Sequence, residues 1–386
     1  MNRHLRLLDF AVARLRLRPA RTLLVVGVYS VLVALVASLL LYVAALKREA
    51  RLLLAEAPEL VVQRLQGGRH EPIPVERAAA IAGIRGVGGV RPRLWGYTYD
   101  PPSGATLTLW AAGSVPAAAL AERDGDLDPS GGTCLVGRGV AEARWLVAGQ
   151  RLPLLTAGGE VFAPRVAGVF TAASALLTND LVVLTEGDLR RVFDLPAGFA
   201  TDLAVEVHNP REVATVARKV RELWPDTRTL SRDELLRTYD AVFDWRGGLW
   251  AALLLSSVAA FALLVWDHAA GLSAEDWRSL GLLKAVGWSP REVMELRLLE
   301  GAAVSAVSML TGVLLAQVHL VLFDGALFAR VLRGWSVLFP PFEVAPSLDA
   351  YTLLLCLALA VVPYLAANLL PAWRSAVIEP DRILRS

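Results

Sequence analysis

Residues 22–46 read TLLVVGVYSVLVALVASLLLYVAAL, a run without a charged side chain. Three further uncharged apolar segments, 247–266, 301–323 and 350–373, crowd towards the end of the 386-residue chain. Each segment is long enough to cross a hydrocarbon core of about 30 Å, which takes about 20 residues of helix. The sequence therefore predicts four transmembrane helices, with a large segment, 47–246, between the first and the second.

The first apolar run is preceded by a basic segment, residues 1–21. The run is too long for a removable signal peptide and lacks a small-residue cleavage site, which indicates a retained first span. Leucine and valine recur at helical spacing between the arginines of 1–21, typical of an amphipathic helix on the inner membrane surface. A plain positively charged flank without a role of its own is the alternative. Pro19 allows a bend into the first span.

The distribution of basic residues predicts the orientation, because positive charge favours the cytoplasmic side. Segments 1–21, 267–300 and 374–386 are predicted to be cytoplasmic, and 47–246 and 324–349 extracytoplasmic. The basic residues behind this assignment are Arg3, Arg6, Arg14, Arg16, Arg18, Arg21, Arg278, Lys284, Arg291, Arg297, Arg374, Arg382 and Arg385. Basic residues just after the first span argue weakly for the opposite orientation, but long domains translocate largely regardless of charge.

The segment 47–246 alternates strand and helix signals. Leu94–Tyr99 and Thr106–Ala111 flank a turn and predict one hairpin, and Gln150–Thr156 and Val161–Phe170 flank Ala157-Gly158-Gly159 and predict a second. Such alternation is typical of an α+β domain with a mixed sheet. The predicted fold class is a membrane α-helical protein with four transmembrane helices and a large extracytoplasmic α+β domain between helices 1 and 2.

The composition excludes several functions. The three lysines, Lys47, Lys219 and Lys284, do not follow glycine, so the chain lacks the Gly-Lys of a nucleotide-binding P-loop and is not expected to hydrolyse ATP. A net charge of only +2 gives no strong positive potential that would attract nucleic acid. Cys134 and Cys356 are expected at different heights and do not suggest a disulfide. No catalytic, cofactor-binding or metal-binding residue is predicted.

The most specific stretch lies between the second and third spans. Trp277–Ala285 predicts a short helix that ends at Gly287. Ser289, Pro290 and Glu292 predict the capped start of a second helix that runs into the third span. An ordinary helix–turn–helix connector is the alternative to a functional element.

This stretch resembles FtsX-type permeases, the membrane subunits of MacB- and LolC-like (type VII) ABC transporters, and the resemblance extends to the plan of the whole chain. Trp288 is bulkier than the residue expected there, and the 324–349 loop is longer than a minimal connection. The matching motifs are Leu280–Gly287, the Ser-Pro-Arg-Glu turn at 289–292, Leu298–Gly301, Pro371–Ala376 with Glu379–Arg385, and Arg14–Leu24 followed by Gly27.

The resemblance implies a multi-pass protein of the bacterial inner membrane with cytoplasmic N- and C-termini. It implies a MacB-like periplasmic core at 47–246, and a homodimer or paralogous heterodimer of permeases in membrane lipid. The chain would bind no cofactor itself, and ATP would bind a separate cytoplasmic ABC ATPase. A periplasmic adaptor or lipoprotein is a further implied partner.

The resemblance also implies which residues contact the ATPase. These coupling candidates are Trp277, Arg278, Leu282, Leu283, Lys284 and Gly287. Independently of the resemblance, polar residues associated with the third span are further candidates, namely Glu300, Gln317 and His319. Glu300 is either paired or a side chain that snorkels to the interface. Gln317 and His319 could touch a substrate, a haem or a metal, although an interhelical hydrogen bond is the favoured explanation. Small residues of the first span, among them Ser30 and Ser38, suit close packing across a dimer or within one subunit.

Two functions remain open from the sequence. The first is a transporter permease that couples ATP hydrolysis to movement of the extracytoplasmic domain, for export or extraction of a substrate by mechanotransmission. The second is an ATPase-driven signalling scaffold that regulates an extracytoplasmic enzyme, such as a cell-wall hydrolase, and transports nothing. The sequence of the four spans contains no nucleophile–base pair and no set of metal ligands, which argues against an intramembrane enzyme.

Overall fold

A computed structural model describes residues 2–17, 19–55, 57–115, 122–123, 129–171, 180–270, 281–333 and 349–377. The chain divides into two compact units. The helical unit comprises Met1–Ala45, Asp244–Leu332 and Val344–Ser386, and the mixed unit comprises Leu46–Phe243 and Arg333–Glu343.

The helices are long in the helical unit and short in the mixed unit. Residues 281–285 are also helical. The helices are α1 (Asn2–Leu17), α2 (Pro19–Ala55), α3 (Arg77–Ala82), α4 (Arg138–Arg144), α5 (Glu186–Phe193), α6 (Val213–Leu223), α7 (Arg232–Ala270), α8 (Pro290–Phe323), α9 (Ala326–Arg333) and α10 (Ala350–Val377).

Four helices are long and apolar enough to cross a membrane, as the sequence predicted: Pro19–Arg51, Arg232–Leu263, Pro290–Phe323 and Ala350–Trp373. The first three exceed the predicted spans 22–46, 247–266 and 301–323. The apolar run marks only the part of a helix that lipid can accept, and the helix continues through flanking charged residues that are themselves good helix formers. The 324–349 segment, predicted as a loop longer than a minimal connection, contains α9, whose Phe328 and Leu332 are buried one turn apart.

The core of the helical unit depends on close approach of α2 and α8. A methyl group at Gly312 would lie 2.6 Å from a Val33 methyl carbon, so α2 can lie this close only against glycine. Ser30 Oγ lies 2.5 Å from Thr311 Oγ1. Ser30 therefore packs within one subunit, which is one of the two alternatives that its spacing left open.

The strands of the mixed unit form two main sheets and two short pairs. The strands are β1 (Leu60–Gln66), β2 (Arg69–Glu71), β3 (Ile73–Pro74), β4 (Val87–Arg93), β5 (Trp95–Asp100), β6 (Ala105–Ala111), β7 (Glu122–Arg123), β8 (Thr133–Gly137), β9 (Leu154–Leu155), β10 (Val161–Phe162), β11 (Arg165–Thr171), β12 (Leu181–Leu184), β13 (Phe199–Ala200), β14 (Asp202–Val207) and β15 (Thr227–Ser231).

The first sheet has the order β15-β1-β14-β4, with β2 beside β1, and its pairs are antiparallel. The second has the order β5-β6-β12-β8-β11-β7. Its β6–β12 and β8–β11 pairs are parallel, and its other pairs are antiparallel. Apolar side chains of α3 and α6 pack on the first sheet, and those of α4 and α5 pack on the second. The predicted α+β domain with a mixed sheet is confirmed.

The first predicted hairpin is confirmed, because β5 pairs with β6 across the turn that ends at Gly104. The second predicted hairpin also forms. Leu154–Leu155 pairs with Val161–Phe162, Arg151 pairs with Arg165, and the Leu152 N–H donates to the Pro164 carbonyl at 2.9 Å. The predicted strand Val161–Phe170 is interrupted at residues 163–164, and its second half, β11, also runs parallel to β8.

Candidate functional site

The segment between α7 and α8 has a defined turn in its described part. The backbone N–H of Gly287 donates to the Lys284 carbonyl at 3.0 Å, and that of Trp288 donates to the Leu283 carbonyl at 3.1 Å. Gly287 has φ of +101°, a backbone conformation that favours glycine. The predicted helix end at Gly287 is confirmed, whereas Trp277 and Arg278 lie outside the described residues.

The exposed apolar surface of this segment differs from the predicted one. Leu282 is 61% exposed and Val286 is 79% exposed, and a spacing of four residues places both on one helical face. Leu283, the other predicted contact, is half-buried. Partial burial lowers the pKa of Lys284 below its ordinary value. Sequence reasoning missed Val286 because it treated the helix as ending at Ala285.

The start of α8 has the predicted capping box. Ser289 Oγ accepts from the Glu292 N–H at 3.4 Å, and Glu292 Oε2 accepts from the Ser289 N–H at 2.8 Å. Pro290 occupies the first helical position. From there α8 runs without interruption to Phe323, so the turn at Gly287 connects directly to the third candidate span.

Helix α1 packs along the beginning of α8. Phe10 and Trp288 lie with ring centroids 5.5 Å apart, and His4 contacts Glu295. Ala11 of α1 and Leu296 of α8 are fully buried. Trp288, which is bulkier than the residue expected from the family pattern, thus packs against Phe10 within the chain.

Glu300 joins these two helices electrostatically. Its Oε1 lies 3.4 Å from Arg14 Nε, and its Oε2 lies 3.2 Å from Arg297 Nη1. The Glu300 side chain is only 12% exposed. A carboxylate that is this little exposed is stabilised by cations rather than by water. The contacts therefore favour the paired alternative for Glu300 over snorkelling. The i,i+3 spacing of Arg297 and Glu300 could have suggested one of these contacts, but no local pattern points to Arg14.

The remaining polar candidates lie elsewhere on α8. His319 is 19 positions beyond Glu300, about 28 Å along a helix. Its Nδ1 lies 3.1 Å from Ser38 Oγ, and its Nε2 accepts from the Leu327 N–H at 3.4 Å. This contact matches the interhelical hydrogen bond favoured for His319. Gln317 Nε2 is buried without a hydrogen-bond partner in the described part of the chain. Neither residue joins the segment around Gly287.

The described residues contain no group of three or more histidine, cysteine, aspartate or glutamate side chains able to hold a metal ion. An exposed apolar face, a glycine turn and a capped helix follow one another, and a nearly buried ion cluster attaches α1 to that helix.

Several solved structures are similar to parts of this chain, among them the following two. The extracellular domain of the ABC-type transporter YknZ from Gram-positive bacteria is 13% identical, with a TM-score of 0.32, over 45% of this chain and 99% of that one. The periplasmic region of MacB from Actinobacillus actinomycetemcomitans is 9% identical, with a TM-score of 0.33, over 46% of this chain and 91% of that one. No curated protein matches the chain.

The family described as FtsX-like permease C-terminal matches residues 249–380. The matched range takes in the C-terminal part of α7, the turn at Gly287 and the two following candidate spans, α8 and α10. Residues 249–380 of this chain therefore form an FtsX-like permease C-terminal domain.

Proposed function

We propose that this chain is the permease subunit of a type VII ABC transporter. A separate cytoplasmic ABC ATPase hydrolyses ATP, and the chain converts the resulting motion into movement of the domain at 47–246, for export or extraction of a substrate by mechanotransmission. The observation that carries the proposal is the uninterrupted path from the exposed face at Leu282, through the turn at Gly287, into the capped helix α8.

The ATPase contact is assigned to Leu282 and Val286. Both side chains are exposed on one face of a short helix, and they offer apolar area that a groove on a partner would remove from water. Lys284 lies between them in sequence and supplies charge beside the apolar contact. Such a small hydrophobic centre with a charged rim is typical of protein interfaces.

Motion at this face would pass into α8 because the link is short and stiff. The capping box fixes the first turn of α8 to the residues that precede it. The Arg14–Glu300–Arg297 cluster then makes α1 follow α8. The N-terminal helix accordingly acts as part of the moving element rather than as a loose flank.

In the mixed unit, the first residue of α7 is hydrogen-bonded to the short segment between α2 and β1. Arg232 Nη2 donates to Glu59 Oε1 at 3.0 Å, and the Arg232 N–H donates to the Glu59 carbonyl at 3.0 Å. Leu60, next to Glu59, pairs with Ser231, next to Arg232, in the first register pair of β1 and β15. Force carried by α2 or α7 would therefore enter adjacent strands of one sheet.

The proposed function also concerns the location, oligomeric state and partners of the chain. The chain lies in a bacterial inner membrane with both termini in the cytoplasm, and it forms a homodimer or a heterodimer with a paralogous permease. A periplasmic adaptor or lipoprotein is the expected partner of the extracytoplasmic domain. The pure single chain has no ATPase activity.

The test combines purification with ATP hydrolysis. The wild-type chain, co-expressed with its ABC ATPase, should retain that ATPase through affinity purification and show ATP hydrolysis only in its presence. The double variant Leu282→Asp, Val286→Asp puts charge into a contact that excludes water, and its retention of ATPase should fall by about tenfold to a hundredfold. Leu283 is left unchanged, because its partial burial would mix folding with binding.

The control is Leu223→Asp, which places one aspartate at an exposed leucine of the mixed unit. It should retain the ATPase like the wild type. Full retention of the ATPase by a correctly inserted double variant would place the ATPase contact elsewhere. Robust ATP hydrolysis by the pure single chain would contradict the proposal that a separate subunit hydrolyses ATP.

A further inference from the structure

Helix α9 is fixed to the end of α8 by a two-residue turn. Asp324 and Gly325 both have positive φ, at +49° and +63°, and the Gly325 carbonyl accepts from the Phe328 N–H at 2.9 Å. The Leu327 N–H donates to His319 Nε2 at 3.4 Å, so a side chain near the end of α8 also holds the first turn of α9. A link this short makes α9 follow the end of α8 when α8 moves.

The first candidate span, α2, packs on this turn. A methyl group at Gly325 would lie 2.5 Å from the Tyr42 ring, so the ring can lie this close only against glycine. Ser38, one turn before Tyr42, has its Oγ 3.1 Å from His319 Nδ1. Both side chains of α2 are buried, which shows that α2 fits tightly against the junction of α8 and α9.

The second candidate span, α7, contacts α9 itself. The Phe328 ring meets the Trp250 ring edge-on at a centroid distance of 5.6 Å, and it lies 6.1 Å from the His319 ring. Arg246, one turn before Trp250, donates from Nη1 to the Leu332 carbonyl at 3.1 Å. A guanidinium at the last turn of a helix is favourable, because the free carbonyls there carry partial negative charge. Phe328 and Leu332 are buried by these contacts.

The two helices that α9 contacts also meet each other at this level. A methyl group at Gly247 of α7 would lie 3.0 Å from a Val43 methyl carbon of α2. Gly247 follows Arg246 in the chain, and Val43 follows Tyr42. Neighbouring residues therefore make the contact between the helices and the contacts with α9, so α9 packs where α2 and α7 come together.

Both helices continue without a break beyond these contacts. Helix α2 runs on to Ala55, and α7 begins as early as Arg232. Arg232 is hydrogen-bonded to Glu59, beside the first register pair of β1 and β15. A displacement of α2 and α7 would therefore reach the first sheet of the mixed unit. Because α9 touches both helices and is fixed to α8, it gives α8 a direct mechanical contact with both.

We infer that α9 passes a displacement of α8 to α2 and α7, an inference that rests on the proposed function for the displacement of α8 itself. Phe328 and Arg246 are the positioning residues. When α8 shifts towards α7, the Phe328 ring pushes on Trp250, because closely packed side chains resist compression. When α8 shifts the other way, the hydrogen bond from Arg246 keeps the end of α9 attached to α7.

The test measures movement of the mixed unit in the full chain, bound to its ABC ATPase in lipid nanodiscs. Nitroxide labels are placed at Leu223→Cys in the mixed unit and Leu310→Cys in α8, both exposed positions. The native Cys134 and Cys356 are buried. Pulsed electron paramagnetic resonance gives the distance between the labels with ADP and with a non-hydrolysable ATP analogue. The labelled chain without further changes should show a nucleotide-dependent shift in this distance.

Two variants remove the contacts between α9 and α7. Phe328→Ala should retain the ATPase but reduce the nucleotide-dependent shift at least about twofold, because the ring that meets Trp250 is gone. Arg246→Gln should reduce the shift in the same direction. Leu327→Ala is the matched control, because it truncates an exposed side chain of the same helix and keeps the N–H that donates to His319. Its shift should equal that of the labelled chain without further changes.

A second control separates transmission from stability. Tyr364→Ala removes a buried ring from α10, where Tyr364 lies 5.1 Å from the Tyr29 ring. This variant should lose thermal stability in detergent, as Phe328→Ala does, but it should keep the nucleotide-dependent shift. A role of Phe328 that is only structural would give the two variants the same shift.

A full shift in Phe328→Ala would overturn the inference and leave the proposed function standing. An equal loss of the shift in Tyr364→Ala or Leu327→Ala would also overturn it, because the loss would then follow from instability or from any truncation in α9. If the labelled chain without further changes binds the ATPase and shows no shift, the proposed function is wrong, and the role of α9 falls with it.

Discussion

Arg14 Nε lies 3.4 Å from Glu300 Oε1, and this contact joins two helices that are 286 positions apart in the sequence. Both side chains are largely buried, at 17% and 12% exposure. The contact makes α1 part of the same body as the beginning of α8. A change that removes the Glu300 charge should therefore affect more than one helix.

Glu300→Gln should destabilise the chain in detergent. The variant leaves Arg14 and Arg297 in a poorly hydrated site without the neutralising carboxylate, and breaking a buried ion pair in this way costs about 3 kcal/mol. The measurement is the free energy of unfolding in a denaturant titration. Glu295→Gln is the matched control, because Glu295 faces the exposed His4 and should lose less than about 1 kcal/mol. Equal losses in the two variants would contradict a special role for Glu300.

Gly312→Ala should separate α2 from α8. The added methyl carbon would lie 2.6 Å from Val33 Cγ1 and 2.9 Å from the Ser30 carbonyl oxygen, so the helices must move apart and the Ser30–Thr311 contact lengthens. Overpacking of this kind costs about 1–3 kcal/mol, measurable as a loss of thermal stability in detergent. Gly248→Ala, where nothing lies within 4 Å, should be neutral or slightly stabilising. If both alanines behave alike, the two helices do not depend on glycine.

Asp226 should make part of the free energy of unfolding of the mixed unit depend on pH. The hydrogen bond from Arg77 is the largest of the effects that hold its pKa below the ordinary value, and Arg64 adds to it. A carboxylate whose pKa is depressed on folding stabilises the fold above its unfolded pKa of about 3.9, and this stabilisation disappears as the pH falls through the folded pKa. Because the side chain is 36% exposed, the contribution should be only about 0.5–1 kcal/mol.

The corresponding measurement compares the wild type with Asp226→Asn in urea at pH 7 and at pH 3. The difference in unfolding free energy between the two proteins should shrink at the lower pH. A difference that stays constant between these pH values would show that the carboxylate does not titrate in this way.

Orientation can be tested with single cysteines. Gly158→Cys in the mixed unit should react with a membrane-impermeant maleimide on intact cells, whereas Val286→Cys should react only after permeabilisation. The background is low at Cys134, because it is buried and burial raises the pKa of its thiol to about 12. Labelling in the reverse pattern would invert the topology.

Several elements were predictable because their causes are local or compositional. The four spans follow from uncharged runs long enough for a bilayer. Gly287 and the Ser289–Glu292 capping box follow from backbone conformation and from hydrogen bonds between near neighbours. The β5–β6 hairpin follows from two strand patterns around one turn. In each case the residues that interact are only a few positions apart, so the sequence pattern contains the interaction.

Tertiary structure decided the features that join distant segments. Nothing local pairs Arg14 with Glu300, places Phe10 on Trp288, or shows that β11 also runs parallel to β8. The exposure of Val286 likewise depends on what the rest of the chain covers. The sequence by itself determined the membrane helices and the turn between α7 and α8, because hydrophobic length and helix capping act over a few residues. Which charges neutralise each other and which surfaces stay open were decided only when segments hundreds of residues apart packed together.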